Sequence, residues 1–286
     1  MKRREHSPFR PGGNSGKVET FLRARERYCV GACFRYLAGE KSCRHWYTEN
    51  GFLLHTRRSL FPVFDFAEEA YRRPLVLPRR LEKTAEEEGI HASQGLVRDI
   101  ELLRAALLKN GVTLSETIEY DLMELNGSDG KLPCCGERVA PGLSRLLLRV
   151  PGKEDMDRLL PLQAGYEQEE VLPQAAAFSP AACRKGLEAL VRAGYVLAAE
   201  QDGRFVGKIN INAVSFTRIQ IGGVYVDPAY RRQGIAGALV AAFVRRLSST
   251  GKGFTLFVKK QNAAACRVYD RAGFTKLDDY RIDYFL

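Results

Sequence analysis

Apolar positions along the second half of the chain switch between a period of two and a period near 3.6. Residues 146–150 alternate as a short strand, and 153–162 follow as a helix with an acidic first turn. Ser179-Pro180 sets an N-cap residue before a proline suited to the first helical position, opening a helix to about Ala193. Residues 195–201 and 204–213 read as strands joined by Asp202-Gly203, a strong hairpin signal. Residues 219–226 are β-rich but interrupted by Gly222-Gly223, and such a pair marks a bulge or a close approach to the backbone. Asp227-Pro228 ends that strand, since proline cannot donate to a ladder. Ile235, Leu239, Val240, Phe243, Val244 and Leu247 then recur on one helical face. A strand at 253–258, a helix from Asn262 to Gly273 and a last strand at 281–286 complete this half.

The first half is less regular. Residues 1–17 are rich in Arg, Pro, Gly and Ser and predict a disordered tail. Residues 18–37 predict one helix, and 51–66 and 74–78 hold short strand-like runs around an acidic segment at Glu68-Glu69. A helix is predicted over 94–110 from Leu96, Ile100, Leu103 and Leu107, with Gly111 as its stop, and then a half-buried strand over 113–125. Glycines and prolines crowd 126–142, which predicts a linker. The expected domains are therefore an N-terminal α/β domain at 18–125 and a second at 143–286.

Composition narrows the function classes. With 45% hydrophobic and 27% charged residues, the chain reads as an ordinary globular protein. No apolar run approaches the roughly 20 residues of a membrane span, and no apolar stretch follows the basic start Met1-Lys2-Arg3-Arg4, so a cytoplasmic location is expected and no membrane partner. The net charge of +10 fits a polyanionic small ligand better than nucleic acid, because the basic residues are scattered and no nucleic-acid-binding motif is present. Cys29, Cys33, Cys43 and His45 read as packing rather than zinc ligation, so no metal is expected; adjacent Cys134-Cys135 falls in the expected linker. Oligomeric state is left open.

Chemistry concentrates after the interrupted strand. Arg231-Arg232-Gln233-Gly234-Ile235-Ala236 joins a strand to a helix start, where bare amides and the positive end of the dipole attract phosphate and Gly234 permits close approach. Neither a P-loop nor a dinucleotide turn is present. Arg231-x-x-Gly234-x-Ala236 after Val224-Tyr225-Val226-Asp227-Pro228 resembles the coenzyme A pyrophosphate loop of the GNAT N-acyltransferases. Asn262-x-x-Ala265-x-x-x-Tyr269-x-x-x-Gly273-Phe274 is similar to that family's late helix.

The resemblance covers about the last 140 residues, a single domain's length. It implies a mixed, mostly antiparallel α/β sheet with helices on both faces, and acetyl-CoA as cofactor. The N-terminal domain is read either as a degenerate GNAT-like half or as another fold. The resemblance also implies that 231–236 hold the pyrophosphate, Asn262 lies near the cofactor and Tyr269 acts as general acid. Val224 would offer its amide to the thioester oxygen and Val226 would contact the pantetheine, with Tyr225 also among the cofactor-binding positions. A primary amine, on a small molecule or a protein, is the expected acceptor. Phe257 stands where relatives acting on protein N-termini carry Glu, which argues against that subclass. Glu169, Glu170, Glu200 and Asp227 are the nearby carboxylates, none of them assigned as base. The alternatives are a non-catalytic acyl-CoA-binding module or transfer of another acyl group.

Overall fold

The computed structural model describes residues 9–12, 15–39, 43–56, 59–81, 83, 89–126, 146–173 and 176–286. The chain divides into two compact units, Met1–Leu122 with Leu277–Leu286, and Met123–Lys276. The expected linker with Cys134-Cys135 lies, from residue 127 on, outside the described residues. Among those described, no helix is long and apolar enough to cross a membrane.

The first unit holds β1 (Arg10–Pro11), α1 (Ser15–Arg25), α2 (Val30–Ala38), β2 (Arg44–Thr48), β3 (Gly51–Thr56), β4 (Ser59–Phe64), α3 (Glu68–Tyr71), β5 (Ala92–Leu96), α4 (Val97–Lys109) and, as far as Leu122, β6 (Leu114–Leu125). Several expectations change here. Phe9 is buried and residues 15–17 open α1, so the chain is already packed before residue 18. The single helix expected over 18–37 breaks at Cys29, letting Val18 and Leu22 be buried separately from Val30, Ala32 and Cys33. Residues 74–78 form no strand: their prolines cannot sustain a ladder, although Leu77 is buried. Helix α4 starts three residues later than expected because Gln94 and Leu96 pair with the final strand, β12 (Thr275–Phe285). Its end follows the glycine signal, with Gly111 N–H donating to Leu108 C=O at 3.1 Å and Val112 N–H to Leu107 C=O at 3.2 Å.

Strand β12 also begins earlier than the 281–286 expected, and residues 277–286, assigned from sequence to the second domain, belong to the first unit. Pairing with β5 and a wholly buried Asp283 hold it there. Arg104 donates to Asp283 through Nε at 2.7 Å and Nη2 at 2.6 Å, and Thr117 Oγ1 donates at 2.9 Å. Strands β4 and β5 run parallel and pair at Ser59↔Ala92 and Leu60↔Ser93. Beyond those pairs the gap is filled: Asp99 on α4 accepts from Phe64 N–H at 3.1 Å and from the Tyr71 hydroxyl at 2.7 Å. A cavity of about 10 Å³ is left.

The second unit holds β7 (Leu147–Arg149), α5 (Met156–Tyr166), a π-helical turn at Glu167–Val171, α6 (Pro180–Arg192), β8 (Val196–Gln201), β9 (Arg204–Val214), β10 (Arg218–Val226), α7 (Ile235–Leu247), β11 (Gly253–Lys259) and α8 (Ala263–Arg271). Its strand order is β11-β10-β9-β8-β7, antiparallel except for β10 with β11. The local signals hold. Ser179 accepts from Ala182 N–H at 3.3 Å, and Asp202-Gly203 turns the β8–β9 hairpin with φ of 48° and 77°. Ile235, Leu239, Val240, Phe243 and Val244 of α7 are buried with Ile209, Ile221 and Phe254 of the sheet.

The glycine pair is a bulge. Register between β10 and β9 runs Gly222↔Asn210 and resumes at Tyr225↔Lys208. On its other side β10 pairs with β11 from Arg218 to Gln220 and then parts from it. Under the bulge lies Lys208, wholly buried, whose Nζ donates to the Gly223 carbonyl and to Asn210 Oδ1, each at 3.0 Å. Burial pushes its ammonium down to about 7, against the upward pull of Glu167 and Cys183.

Two stability measurements follow. Arg104→Met leaves Asp283 buried without its cation and should cost about 3 to 5 kcal/mol in urea unfolding, far more than a surface substitution; a change within about 0.5 kcal/mol contradicts this account. For Lys208, the unfolded chain keeps a proton between about 7 and 10.5 that the folded chain has released. Stability therefore rises with pH across that window, and below about 7 the full cost of burying the charge remains. Relative to Lys208→Met, the parent should gain on the order of 2 to 3 kcal/mol between about pH 7 and 9; a pH-independent difference contradicts it.

Candidate active site

Where β10 leaves β11, the chain turns into α7 and builds one wall of a cleft. Asp227 Oδ1 accepts from Ala229 N–H at 2.9 Å, closing a 3₁₀ turn at Pro228–Tyr230. Arg232 and Gly234 then take positive φ, 64° and 86°. The first backbone bond into the helix runs from Ala238 N–H to Gly234 C=O at 3.0 Å. The N–H groups of Ile235, Ala236 and Gly237 come earlier, at the positive end of the dipole, and no side chain caps the helix. Ile235 is buried in the core, so its backbone rather than its side chain serves the cleft.

Helix α8 is the opposite wall. Asn262 Oδ1 caps it by accepting from Ala265 N–H at 3.0 Å. The far end closes on Gly273 at φ 85°, with Gly273 N–H donating to Asp270 C=O and Phe274 N–H to Tyr269 C=O, both at 3.0 Å. Phe274 meets the Tyr269 ring edge-on at 6.0 Å. The Tyr-x-x-x-Gly-Phe spacing is thus the helix stop itself, and it fixes Tyr269 in the cleft wall. Burial pushes the Tyr269 phenol well above its usual range, with Tyr166, Glu170 and Cys266 adding to the effect, so it stays protonated at neutral pH.

The cleft is about 700 Å³. The positions assigned from sequence to catalysis or cofactor binding line it: Val224, Tyr225, Val226, Arg231, Arg232, Gln233, Gly234, Ile235, Ala236, Asn262 and Tyr269. Of the carboxylates named, Glu169 and Glu170 line it too, carried by the π-helical turn. Glu169 accepts from the Tyr225 hydroxyl at 2.5 Å and from Arg231 Nη2 at 2.7 Å. Burial opposes its ionisation, but these bonds prevail and hold its carboxyl below the usual value. Burial, followed by the same carboxylate, pushes Tyr225 up to about 12. Glu170 accepts from Asn262 Nδ2 at 3.1 Å, with Lys259 Nζ at 3.7 Å. Glu200 is engaged elsewhere with Arg149 and Arg158, and Asp227 shapes its turn. Arg267 lines the cleft.

Sequence reasoning passed over Lys208 and Tyr166. Lys208 had a signal: one charge inside the run Phe205-Val206-Gly207-Lys208-Ile209, where a buried cation must find acceptors. Its ammonium lies 4.8 Å from the Tyr166 ring centroid.

The family model described as the Acetyltransferase (GNAT) family matches residues 160–274. No curated protein matches the chain. Among solved structures, a Drosophila protein described without an activity is similar at TM-score 0.69 and 16% identity, over 98% of this chain and 99% of that one. A tandem GNAT protein from the clavulanic acid biosynthesis pathway is similar at 0.58 and 13%, over 97% of each chain. A GCN5-related N-acetyltransferase from Sphaerobacter thermophilus is similar at 0.56 and 16%, over 97% of this chain and 95% of that one. At such identities the likeness is one of fold. Residues 160–274, within the second unit, thus match a GNAT acetyltransferase domain, and the chain shares the mixed α/β fold of GNAT proteins, tandem ones among them.

Proposed function

We propose that the protein is an acetyl-CoA-dependent N-acetyltransferase that passes the acetyl group directly to a primary amine in a ternary complex. The observation that carries this reading is the cleft between α7 and α8, lined both by residues 235–237 of a helix start that no side chain caps and by Tyr269. The amides and Arg232 suit a pyrophosphate. The parting of β10 from β11 leaves strand edges along which an extended pantetheine can lie. The Val224 N–H serves as donor to the thioester oxygen. The amine lone pair attacks the thioester carbon, the C–S bond breaks, and Tyr269 delivers its proton to the departing sulfur. The proton that the attacking nitrogen loses passes through solvent to the Tyr269 phenolate, which regenerates the phenol.

A second reading, a non-catalytic acyl-CoA-binding module, draws on the carboxylates. Glu169 is held by Arg231, Glu170 lies beside Lys259, and Phe257 offers no base. Thioester loss with a panel of amines separates the two: tight acetyl-CoA binding with no transfer to any amine favours the module.

Calorimetry with acetyl-CoA tests the shared premise. Ala236→Asp puts a carboxylate where the phosphates would lie while remaining favourable to a helix N-terminus. It should weaken binding by about tenfold or more without lowering stability; unchanged affinity removes this turn from the site. Tyr269→Phe should lower turnover by about 100-fold with affinity for acetyl-CoA changed less than about threefold. Equal turnover excludes Tyr269 as the acid.

A further inference from the structure

Lys208 has no part in the chemistry above, yet its position on β9 connects it to the bulge. Its Nζ donates to Asn210 Oδ1 and to the Gly223 carbonyl, and Asn210 Nδ2 is held in turn by Asn212 Oδ1 at 2.8 Å. The groups facing it are the Tyr166 ring from α5, Glu167 from the π-helical turn and Cys183 from α6. Gly223 has φ of 62°, and a Cβ there would overlap Asn210 Oδ1 and crowd Nζ, so the bulge must stay bare for Lys208 and Asn210 to pack against it. A methionine could fill this space without the cost of burying an amine, so packing alone does not account for a lysine.

The bulge leaves Gly223 and Val224 between the paired positions Gly222 and Tyr225. They share one trans peptide, in which carbonyl and N–H point in opposite directions. The carbonyl points at Lys208 Nζ, and Val224 lines the cleft. We propose that Lys208 is a positioning residue for acyl transfer: by binding the Gly223 carbonyl it fixes and polarises the peptide whose Val224 N–H faces the thioester oxygen. The last step rests on the acyl-CoA reading of the cleft; the coupling from Lys208 to the Val224 amide does not.

Hydrogen bonds in a chain polarise one another, and a charged donor strengthens the effect. With its proton, Lys208 makes the Val224 N–H a better donor; without it, the N–H weakens. Burial puts that change at about 7, where Glu167 and Cys183 counter it in part. The amide that would stabilise the reaction's oxyanion is thus set by a side chain on the neighbouring strand.

The test is made on the full chain. In ¹⁵N-labelled protein, the Val224 amide shift is followed by NMR across the pH range around 7. The parent should show an inflection near 7 that vanishes in Lys208→Met, with the amides of α7 unchanged as a control for folding. A parent amide that does not respond overturns the proposal, as does an inflection that persists in Lys208→Met. Lys208→Arg keeps a cation that does not titrate in this range and should leave the shift flat at its low-pH value. The second probe is acetyl-CoA carrying ¹³C at the thioester carbonyl, read by infrared difference spectra. Bound to the parent, its carbonyl band should fall in frequency, more below pH 7 than above. In Lys208→Met the fall should shrink while affinity changes by less than about threefold. Binding with the same pH-independent band in parent and variant overturns the role of Lys208 and leaves the acyl-CoA reading standing. Absence of binding overturns the acyl-CoA reading, and the NMR titration then decides the coupling alone.

Discussion

The second unit depends on a parallel pair of strands that cannot stay paired. Strands β10 and β11 are bonded from Arg218 to Gln220, and the bulge at Gly222-Gly223 then turns β10 away. A bulge adds twist and leaves residues out of the ladder, and the freed peptides must be satisfied some other way. Lys208 supplies one partner from below, by donating to Gly223. The cleft occupies the opening between the strands, and the two helices that follow them form its walls.

The first unit meets the same geometry and closes it. Its parallel pair, β4 and β5, also has only a short run of register, but the Asp99 carboxylate ties Phe64 and Tyr71 across the gap. Burial raises Asp99 to about 6 despite these bonds, a sign of how little water remains. The helices that follow this pair also lack side-chain caps, but the cavity beside it is only about 10 Å³. One opening is thus filled with side chains, and the other is left as a cleft of about 700 Å³.

Charge in the open cleft is arranged by pairing. The two carboxylates that the π-helical turn places in the cleft meet cations or an amide, Glu169 with Arg231 and Glu170 with Asn262 and Lys259. Half-exposed pairs of this kind contribute little to stability. They fix where each carboxylate stands, so an anionic ligand at the α7 end would have to compete with Glu169 for Arg231.

Local chemistry in the sequence determined the second unit's elements and the placement of its site. The Asp202-Gly203 turn, the Ser179 and Asn262 caps, the Gly273 stop and the Gly222-Gly223 interruption each act within a few residues, so they could be read directly. Because the Tyr269 to Phe274 spacing is the helix stop, reading the motif also placed Tyr269. Contacts between distant segments could not be read that way. The delayed start of α4 and the assignment of residues 277–286 to the first unit are set by partners far along the chain. Lys208 shows the division most plainly: the sequence revealed one charge in an apolar strand, but only the packing of β9 under the bulge decided that it would be buried, and against which carbonyl. Local periodicity carries no information about the distant group that satisfies a buried charge.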